Sequence, residues 1–234
     1  QRRAYIGRRQ GRATKKSAMS QVLAIMPCRG RADQTLRNVQ RLLTTAGYDV
    51  WQLVCMVDAD VVVQQAITES QLPVWSMATR TRGYWPALQQ ATNHWPEFSL
   101  IVNLANDLIG GHQWLARAVA AYHATFGDGL GMIGFNGDHH EVGHSCHFLI
   151  HRHLLERYGG WPVWYDHTYG DTELCERAIA DGVYGKAPWA MLFHDHPYFG
   201  GQDDPVYAEG RAQSERDHHL FQQRKAQGWP LISH

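Results

Sequence analysis

Carboxylates and arginines gather at the ends of apolar segments in this 234-residue chain. Arg29 and Arg31 follow one apolar run, Asp58 and Asp60 follow a second, and Asp107 follows a third. Carboxylate oxygens bind hard divalent cations, and guanidinium groups form paired hydrogen bonds with phosphates. This combination suits a site that holds a diphosphate through a metal ion and cationic side chains.

Other phosphate-binding chemistry is not indicated. Neither G-x-G-x-x-G nor G-x-x-x-x-G-K-[ST] occurs in the sequence, so the dehydrogenase and P-loop classes lose their main support.

The four cysteines are far apart and include no Cys-x-x-Cys pair, which argues against a disulfide framework or a cysteine zinc knuckle. Such cysteines suit a reducing compartment, and no apolar stretch approaches the roughly 18 residues of a membrane helix. We therefore expect a cytoplasmic protein.

The elements that must position these residues alternate between strands and helices. Apolar runs predict strands at 22–26, 51–57, 73–77 and 99–103, and helical periodicity predicts helices at 33–45, 60–69 and 84–93. This alternation is typical of an α/β domain with right-handed crossovers and a mostly parallel sheet flanked by helices. Ligands bind beyond the carboxyl ends of the strands in such sheets, so the acids and arginines are expected to converge on one crevice.

The second half of the chain is less regular, but its elements can still be predicted. We expect helices at 113–125, 172–181 and 214–226, strands at 132–135, 147–150 and 190–193, and a loop-rich region at 159–165. The length and the 44% hydrophobic content favour a single domain with a substantial core.

Five segments resemble, in order, the family 2 glycosyltransferases with the GT-A fold. Ile25-Met-Pro-Cys-Arg-Gly-Arg31 is similar to that family's first strand and P-x-R-x-R turn, beside which the nucleotide lies. Val57-Asp-Ala-Asp60 resembles the acidic end of its second strand, which contacts the uracil or ribose. The resemblance, with the neighbouring cations, implies a donor-binding set of Pro27, Arg29, Arg31, Asp58, Asp60, Arg80 and Asn106.

The other three segments resemble the metal and catalytic motifs of the same family. Asn103-Leu-Ala-Asn-Asp107 falls at the Asp-x-Asp metal motif, although Asn106 stands where an acid is common. His194-Asp-His-Pro197 resembles the C-terminal histidine segment that completes the metal site. The resemblance therefore implies Asp107, His194 and His196 as ligands of Mn²⁺ or Mg²⁺.

The catalytic base is implied by Tyr169-Gly-Asp-Thr-Glu-Leu174, which resembles the family's Glu-Asp-x-Asp-Leu segment and places Asp171 at the position of the base. Asp171 has an alternative role as the N-cap of a helix that starts at Thr172. Trp161 and Trp164 are candidates to stack on an acceptor sugar or base, and Glu173 is a further acceptor-side candidate.

The resemblance implies a single GT-A domain, with residues 21–110 forming the nucleotide-sugar half and residues 111–234 the acceptor and catalytic half. Its activity would be transfer of a sugar from a nucleotide-diphosphate sugar, a UDP-sugar above all, to a hydroxyl acceptor with inversion. A non-catalytic sugar-binding or nucleic-acid-binding module is the non-enzyme alternative.

A zinc hydrolase is a second enzyme alternative, because His140-Glu-Val-Gly-His144 matches the H-E-x-x-H pattern. In that pattern two histidines four residues apart on a helix bind zinc, and the glutamate acts as the base. The preceding turn-like segment and Gly143 argue against a stable helix there. We interpret the segment as a loop near the acceptor side of the cleft.

The N-terminal 20 residues form a basic arm. They contain seven Lys or Arg and no acid, whereas the remaining residues carry 15 Lys or Arg against 22 Asp or Glu. The arm is either a flexible tail or an electrostatic handle for a polyanion. The acceptor is therefore expected to be a saccharide or a modified nucleic acid, with DNA recruited through the arm, in the host cytoplasm if the protein is of phage origin.

Overall fold

The computed structural model describes residues 21–137, 143–197, 201 and 203–231. The residues 1–20 of the basic arm lie outside this range. The strands are β1 (Val22–Cys28), β2 (Trp51–Val57), β3 (Trp75–Ala78), β4 (Leu100–Asn103), β5 (Leu108–Gly110), β6 (Met132–Asn136), β7 (Phe148–His151) and β8 (Tyr184–His194). The helices are α1 (Ala32–Thr45), α2 (Val61–Glu69), α3 (Tyr84–His94), α4 (Trp114–Phe126), α5 (Arg152–Arg157), α6 (Gly170–Ala180) and α7 (Pro205–Ala226).

The strands form one sheet in the order β3-β2-β1-β4-β7-β6-β8-β5. Strands β1 to β4 pair only in parallel with one another, and β6 also pairs in parallel with β8. β7 is antiparallel to both neighbours, and β5 is antiparallel to β8. The predicted α/β architecture with a mostly parallel sheet is confirmed. Its parallel part places the carboxyl ends of β1, β2, β3 and β4 at one edge.

Continuous apolar strands arise because both faces of the sheet are covered. In β1 the side chains alternate between two hydrophobic clusters, with Val22, Ala24 and Met26 in one and Leu23 and Ile25 in the other. The first cluster packs under α1, α2 and α4, and the second packs under α3, α5 and α6. A strand buried on both faces loses the polar alternation of a half-exposed strand, which explains its apolar sequence.

Several boundaries differ from those expected from the sequence. The helix predicted at 172–181 begins at Gly170, so Asp171 lies in its first turn and the N-cap is Tyr169. The alternative role of Asp171 as the N-cap residue is therefore wrong. The strand predicted at 190–193 covers Tyr184–His194, and the three-residue β5 and six-residue α5 were not predicted.

Helix α7 is longer than the predicted 214–226, because it begins at Pro205 and has 22 residues. Asp204 caps it by accepting hydrogen bonds from the amides of Val206 and Tyr207, and Pro205 fits the first turn because its missing amide proton is not needed there. Despite this length, α7 is too polar to cross a bilayer, and no other helix in the described part of the chain has the length and apolar character to do so.

A buried charge cluster joins α6 to α7. Glu173 of α6 has no exposed surface, and its carboxylate accepts hydrogen bonds from Nε of Arg224 at 2.8 Å and from the Tyr165 hydroxyl at 2.7 Å. Arg177 also donates to Glu173, at 3.3 Å. One turn further along α6, Glu176 pairs with Lys225 at 2.7 Å on the surface. The two helices are therefore joined by one buried and one exposed ion pair.

These two pairs predict unequal effects of losing a carboxylate. Glu173→Ala leaves the guanidinium groups of Arg224 and Arg177 buried without compensation, so we expect the free energy of unfolding to fall by about 3–5 kcal/mol. Glu176→Ala removes a surface pair on the same two helices and should cost about 1 kcal/mol or less. Urea unfolding of both variants measures the difference. Equal losses would show that the buried cluster does not hold α7 in place.

Candidate active site

The turn after β1 is the first part of the site. Gly30 and Arg31 both have left-handed backbone conformations, with φ of 59° and 56°. The carboxylate of Asp60 accepts from the Gly30 amide at 2.8 Å while also capping α2. The side-chain amide of Asn106 donates to the Arg29 carbonyl at 3.3 Å. Asp60 and Asn106, both predicted to bind the donor, therefore have side chains that support this turn.

A charged cleft opens beside the turn. It has a volume of about 370 Å³ and is lined by Arg29, Asp58, Ala59, Thr79, Arg80 and Arg82. Asp58 accepts from the Thr79 hydroxyl at 3.2 Å and lies 4.0 Å from Arg82. Pro27 lies one position inside β1, opposite Met56 of β2. The structure thus brings the predicted residues Arg29, Asp58 and Arg80 to one cleft at the strand ends.

Strand β5 fixes the position of Asp107. It pairs with the end of β8 so that Leu108 lies opposite His194, and the amide of Asp195 donates to the carbonyl of Asp107 at 2.9 Å. The Nε2 atom of His194 consequently lies 3.2 Å from Oδ1 of Asp107. This pairing brings together two predicted metal ligands that are far apart in the sequence.

The Asp107 carboxylate is buried, with 4% of the residue exposed. Its Oδ2 atom accepts from the Tyr207 hydroxyl at 2.7 Å and lies 3.4 Å from Nη1 of Arg31. Burial acts to raise the pKa of Asp107, but contacts with His194, Tyr207 and Arg31 outweigh burial and hold the pKa below its usual value. Asp107 is therefore an anion at neutral pH.

Asp107 and His194 are suited to bind a divalent cation whose other ligands come from a bound substrate. Oδ1 of Asp107 is buried and makes no well-aligned hydrogen bond with any residue that the structure describes. Its 3.2 Å separation from the His194 nitrogen is close to the roughly 3 Å between neighbouring ligands of an ion with bonds of about 2.1 Å. Burial and the charge of His194 lower the pKa of His196, which favours the neutral ring that a metal requires.

The three predicted ligands nevertheless do not close around one point. Within the described ranges, no three His, Cys, Asp or Glu side chains are arranged to hold a metal ion by themselves. The His196 ring instead packs edge-on against Tyr207, with 4.5 Å between the centroids. A cation at Asp107 and His194 would need further ligands from a bound substrate or from water, as Mg²⁺ sites on phosphate substrates do.

Asp171 acts electrostatically on two of the groups that Asp107 also affects, Tyr84 and His167. It is half-buried, and no hydrogen bond reaches its carboxylate from residues 21–137, 143–197, 201 or 203–231. Burial raises the pKa of Tyr84, and the charges of both Asp171 and Asp107 raise it further. Both carboxylates also act on the pKa of His167, which burial lowers. Asp107 and Asp171 are therefore two acids that face the same groups.

The loop before α6 is held by a carboxylate on α7. Asp217 is fully buried and accepts from the backbone amides of Asp166, His167 and Thr168 at 2.8–2.9 Å. The His167 ring also lies against Gly210, where a Cβ atom would approach its Cδ2 atom to 2.7 Å. These contacts fix the backbone that leads into the helix of Asp171.

Two predicted acceptor residues are corrected by their burial. Trp161 has no exposed surface, stacks with Trp85 and Phe148, and donates to the Thr92 hydroxyl at 2.8 Å. Glu173 is equally buried within the arginine cluster. Neither can contact an acceptor in this conformation. Trp164 is half-buried, and its ring lies 4.1 Å from the guanidinium carbon of Arg224.

The histidine motif is only partly covered by the structure. His140 and Glu141 lie outside the described residues, whereas His144 follows Gly143, whose φ is 80°. Residues 143–147 form bends and irregular backbone rather than a helix. The histidine His144 therefore does not lie on the helix that the zinc hydrolase pattern requires.

Residues of α7 that the sequence did not single out complete the site. Asp204 forms paired hydrogen bonds with Arg31, and Glu209 binds Arg29 and Arg82. Tyr207 reaches Asp107, as described above. The Asp-Pro start of α7 was a usable signal for a helix beginning at 205, and extending the helix would have placed Tyr207 and Glu209 in its first turns.

A larger hollow lies at the opposite ends of the strands. Its volume is about 470 Å³, and it is lined by Gln21, Asp49, Val50, Trp51, Gln52, Trp75, Glu97 and Phe98. Its ionisable groups are acids without an arginine or histidine. We place the functional site at the smaller, arginine-lined cleft because it lies at the carboxyl ends of parallel strands and beside Asp107.

Comparison with known proteins gives a match in structure only. No protein-family model matches the chain, and no curated protein sequence matches it. A mannosyltransferase from Pyrobaculum calidifontis, solved with GDP-Man and Mn²⁺, has a TM-score of 0.60 and 18% identity over 76% of this chain. The chain spans 57% of that mannosyltransferase.

Glucosyl-3-phosphoglycerate synthase from Mycobacterium tuberculosis is similar in two solved complexes. The complex with Mn²⁺, UDP and glucosyl-3-phosphoglycerate has a TM-score of 0.56 and 13% identity, over 82% of this chain and 76% of the synthase. The complex with Mn²⁺, UDP and phosphoglyceric acid has a TM-score of 0.54 and 12% identity, over 82% and 74%. At these identities the likeness shows the fold alone, and that fold is the GT-A fold of glycosyltransferases.

Proposed function

We propose that this protein is a metal-dependent glycosyltransferase that moves a sugar from a nucleotide-diphosphate sugar to a hydroxyl group. The observation that carries the proposal is the pairing of Asp107 with His194 beside an arginine-lined cleft at the carboxyl ends of β1, β2 and β3. A carboxylate and an imidazole suit Mn²⁺, and the adjacent arginines suit a diphosphate. The GT-A neighbours support the same class of reaction.

In this proposal the nucleotide occupies the cleft beside the β1 turn. Arg29, Arg80 and Arg82 supply positive charge there, and Asp58 at the end of β2 supplies a hydrogen-bond acceptor for the base or ribose. Asp60 and Asn106 act by holding the turn rather than by contacting the donor. UDP and GDP are the first nucleotides to test, because the structural neighbours were solved with UDP or a GDP-sugar.

Asp107 and His194 would hold the divalent ion, Mn²⁺ or Mg²⁺, with the remaining ligands supplied by the diphosphate and water. When bound there, such an ion neutralises the charge that grows on the leaving nucleotide. Arg31 and Tyr207 keep Asp107 ionised and oriented through their contacts with Oδ2. The imidazole of His194 adds a nitrogen ligand, which favours Mn²⁺ over Mg²⁺.

Asp171 is proposed as the general base. Its carboxylate has free acceptor capacity among the described residues, and it lies in the first turn of α6, where the helix dipole stabilises an anion. Asp171 would accept the proton of the acceptor hydroxyl as that oxygen attacks the anomeric carbon. A single displacement of this kind inverts the anomeric configuration.

The acceptor is proposed to be a small hydroxylated molecule or a saccharide. It would approach Asp171 beside the His167 loop. The half-buried Trp164 stays a candidate contact, with its indole N–H donating to Glu173 at 3.3 Å. Phosphoglyceric acid belongs in the first panel, because a structural neighbour was solved with it. Recruitment of DNA depends on residues 1–20, which lie outside the described residues, and stays a prediction.

The direct test is release of nucleotide from a panel of UDP-sugars and GDP-sugars with Mn²⁺, Mg²⁺ or EDTA, with sugar acids, monosaccharides and modified oligonucleotides as acceptors. We expect metal-dependent release with at least one donor, increased by a suitable acceptor. Release that is equal in EDTA would contradict the metal-dependent mechanism. Peptide hydrolysis that requires zinc would favour the hydrolase alternative.

The metal site generates a binding prediction. The affinity for UDP or GDP should be at least roughly tenfold lower in EDTA than with Mn²⁺, because the diphosphate would face the buried Asp107 charge without an intervening cation. Asp107→Ala should lose most of the difference between Mn²⁺ and EDTA. Calorimetry measures each affinity, and Asp128→Ala, which changes an almost fully exposed acid, is the control. Retention of the metal effect in Asp107→Ala would remove this residue from the site.

The proposed base generates a kinetic prediction. Asp171→Asn keeps the size of the side chain but cannot accept the proton, so transfer should slow by about 10²- to 10⁴-fold while nucleotide affinity changes less than about twofold. Asp166→Asn provides a control on the loop that precedes α6, because Asp166 forms a surface ion pair with Arg216 at 2.7 Å. Transfer by Asp171→Asn at near the native rate would show that this carboxylate is not the base.

A further inference from the structure

Glu209 stands where an incoming phosphate would meet the arginines. Its carboxylate accepts two hydrogen bonds from Arg29, at 2.6 and 2.9 Å, and one from Arg82 at 3.0 Å. Arg82 in turn lies 4.0 Å from Asp58. Two of the three arginines of the cleft are therefore already bound to a carboxylate that comes from a distant part of the chain.

The geometry of Glu209 imitates that of a bound phosphate. A carboxylate held by both arms of one guanidinium and by a second guanidinium uses the same donors that would bind a phosphate oxygen pair. It is placed by the second turn of α7, whose capping residue, Asp204, is itself bound to Arg31. The helix therefore delivers one acid to Arg29 and Arg82 and another to Arg31.

The ion pairs of Glu209 with Arg29 and Arg82 are exposed enough for a ligand to replace the carboxylate. The side chains of Arg29, Glu209 and Arg82 are 33%, 48% and 63% exposed. Exposed ion pairs of this kind contribute little net stability, because water competes for both partners. A diphosphate with more charge than one carboxylate can bind both arginines. The buried pair between Glu173 of α6 and Arg224 of α7 cannot be exchanged in this way.

We infer that Glu209 is an internal competitor for the donor's diphosphate, which holds Arg29 and Arg82 in binding geometry and weakens nucleotide binding. This inference rests on the proposed function, because it assigns the ligand of that cleft. The carboxylate keeps two like-charged arginines together before the donor arrives. After transfer it returns to them as the nucleoside diphosphate leaves, so it sets donor affinity and product release together.

The test is calorimetric titration of the full chain with UDP and with GDP, in each case with MnCl₂. Glu209→Gln removes the competing charge and should bind the nucleotide roughly three- to tenfold more tightly than the native protein. Stopped-flow measurement should show most of this change as slower nucleotide release. Glu209→Asp keeps the charge on a shorter side chain and should give an intermediate affinity.

Glu215→Gln is the matched control, because it removes the same charge from the same helix at a side chain that is 91% exposed. Its affinity should equal that of the native protein. An unchanged or weaker affinity in Glu209→Gln would overturn the inference, and the weaker result would make Glu209 a direct ligand of the donor. Absence of nucleotide binding by the native protein would instead overturn the proposed function, and the inference with it.

Discussion

The site depends on a helix whose buried face is charged. Buried ionised groups are stable only when specific partners compensate their charge. The buried side chains of Asp217 and Arg224 therefore restrict how α7 can pack against the rest of the domain. Asp217 requires the three amides of the 166–168 loop, and Arg224 requires Glu173. A helix with an apolar buried face could shift along its axis at a small cost in free energy. The polar contacts of α7 instead define one position of the helix against the rest of the domain. This position then determines which residues of α7 reach the strand ends.

The spacing along α7 connects two distant parts of the site. Gly210, Asp217 and Arg224 are seven residues apart, which places them on one face of the helix. Asp204 and Arg224 are separated by twenty residues, or about 30 Å along the axis. Over that length the helix contacts Arg31 at the β1 turn, His167 before α6, and Glu173 within α6. One helix thus connects Arg31 at the β1 turn with α6, the helix that carries Asp171.

The sequence predicted the elements whose stability comes from apolar burial. β2 and the first helices were placed almost without error, because their side chains pack against both sides of the sheet. The first half of α7 was missed because its buried positions, Tyr207 and Gly210, form no apolar stripe. β5 was missed because three residues carry little periodicity and its partner, β8, lies about 80 positions later. Both missed elements contact Asp107.

The same distinction explains which candidate site residues lie at the expected edge of the sheet. Asp58 and Asp107 follow strands that burial makes recognisable, so the sheet itself brings them to one edge. Trp161 and Glu173 lie near Asp171 in the sequence, but their side chains turn into the core, which a motif does not reveal. Asp60 accepts from the Gly30 amide and Asn106 donates to the Arg29 carbonyl, so both side chains hold the β1 turn.

Charge compensation within the chain is what allows so many ionic groups to share this edge. Arg31 lies between Asp107 and Asp204 and over the ring of Tyr207, with 3.8 Å from its guanidinium carbon to the ring centroid. Its partners outweigh the effect of burial and raise its pKa, so this cation stays charged inside the site. Arg29 and Arg82, in contrast, meet their acid in solvent. The buried Arg31 therefore keeps its contact with Asp107 and orients it. The more exposed Arg29 and Arg82 can exchange Glu209 for a ligand.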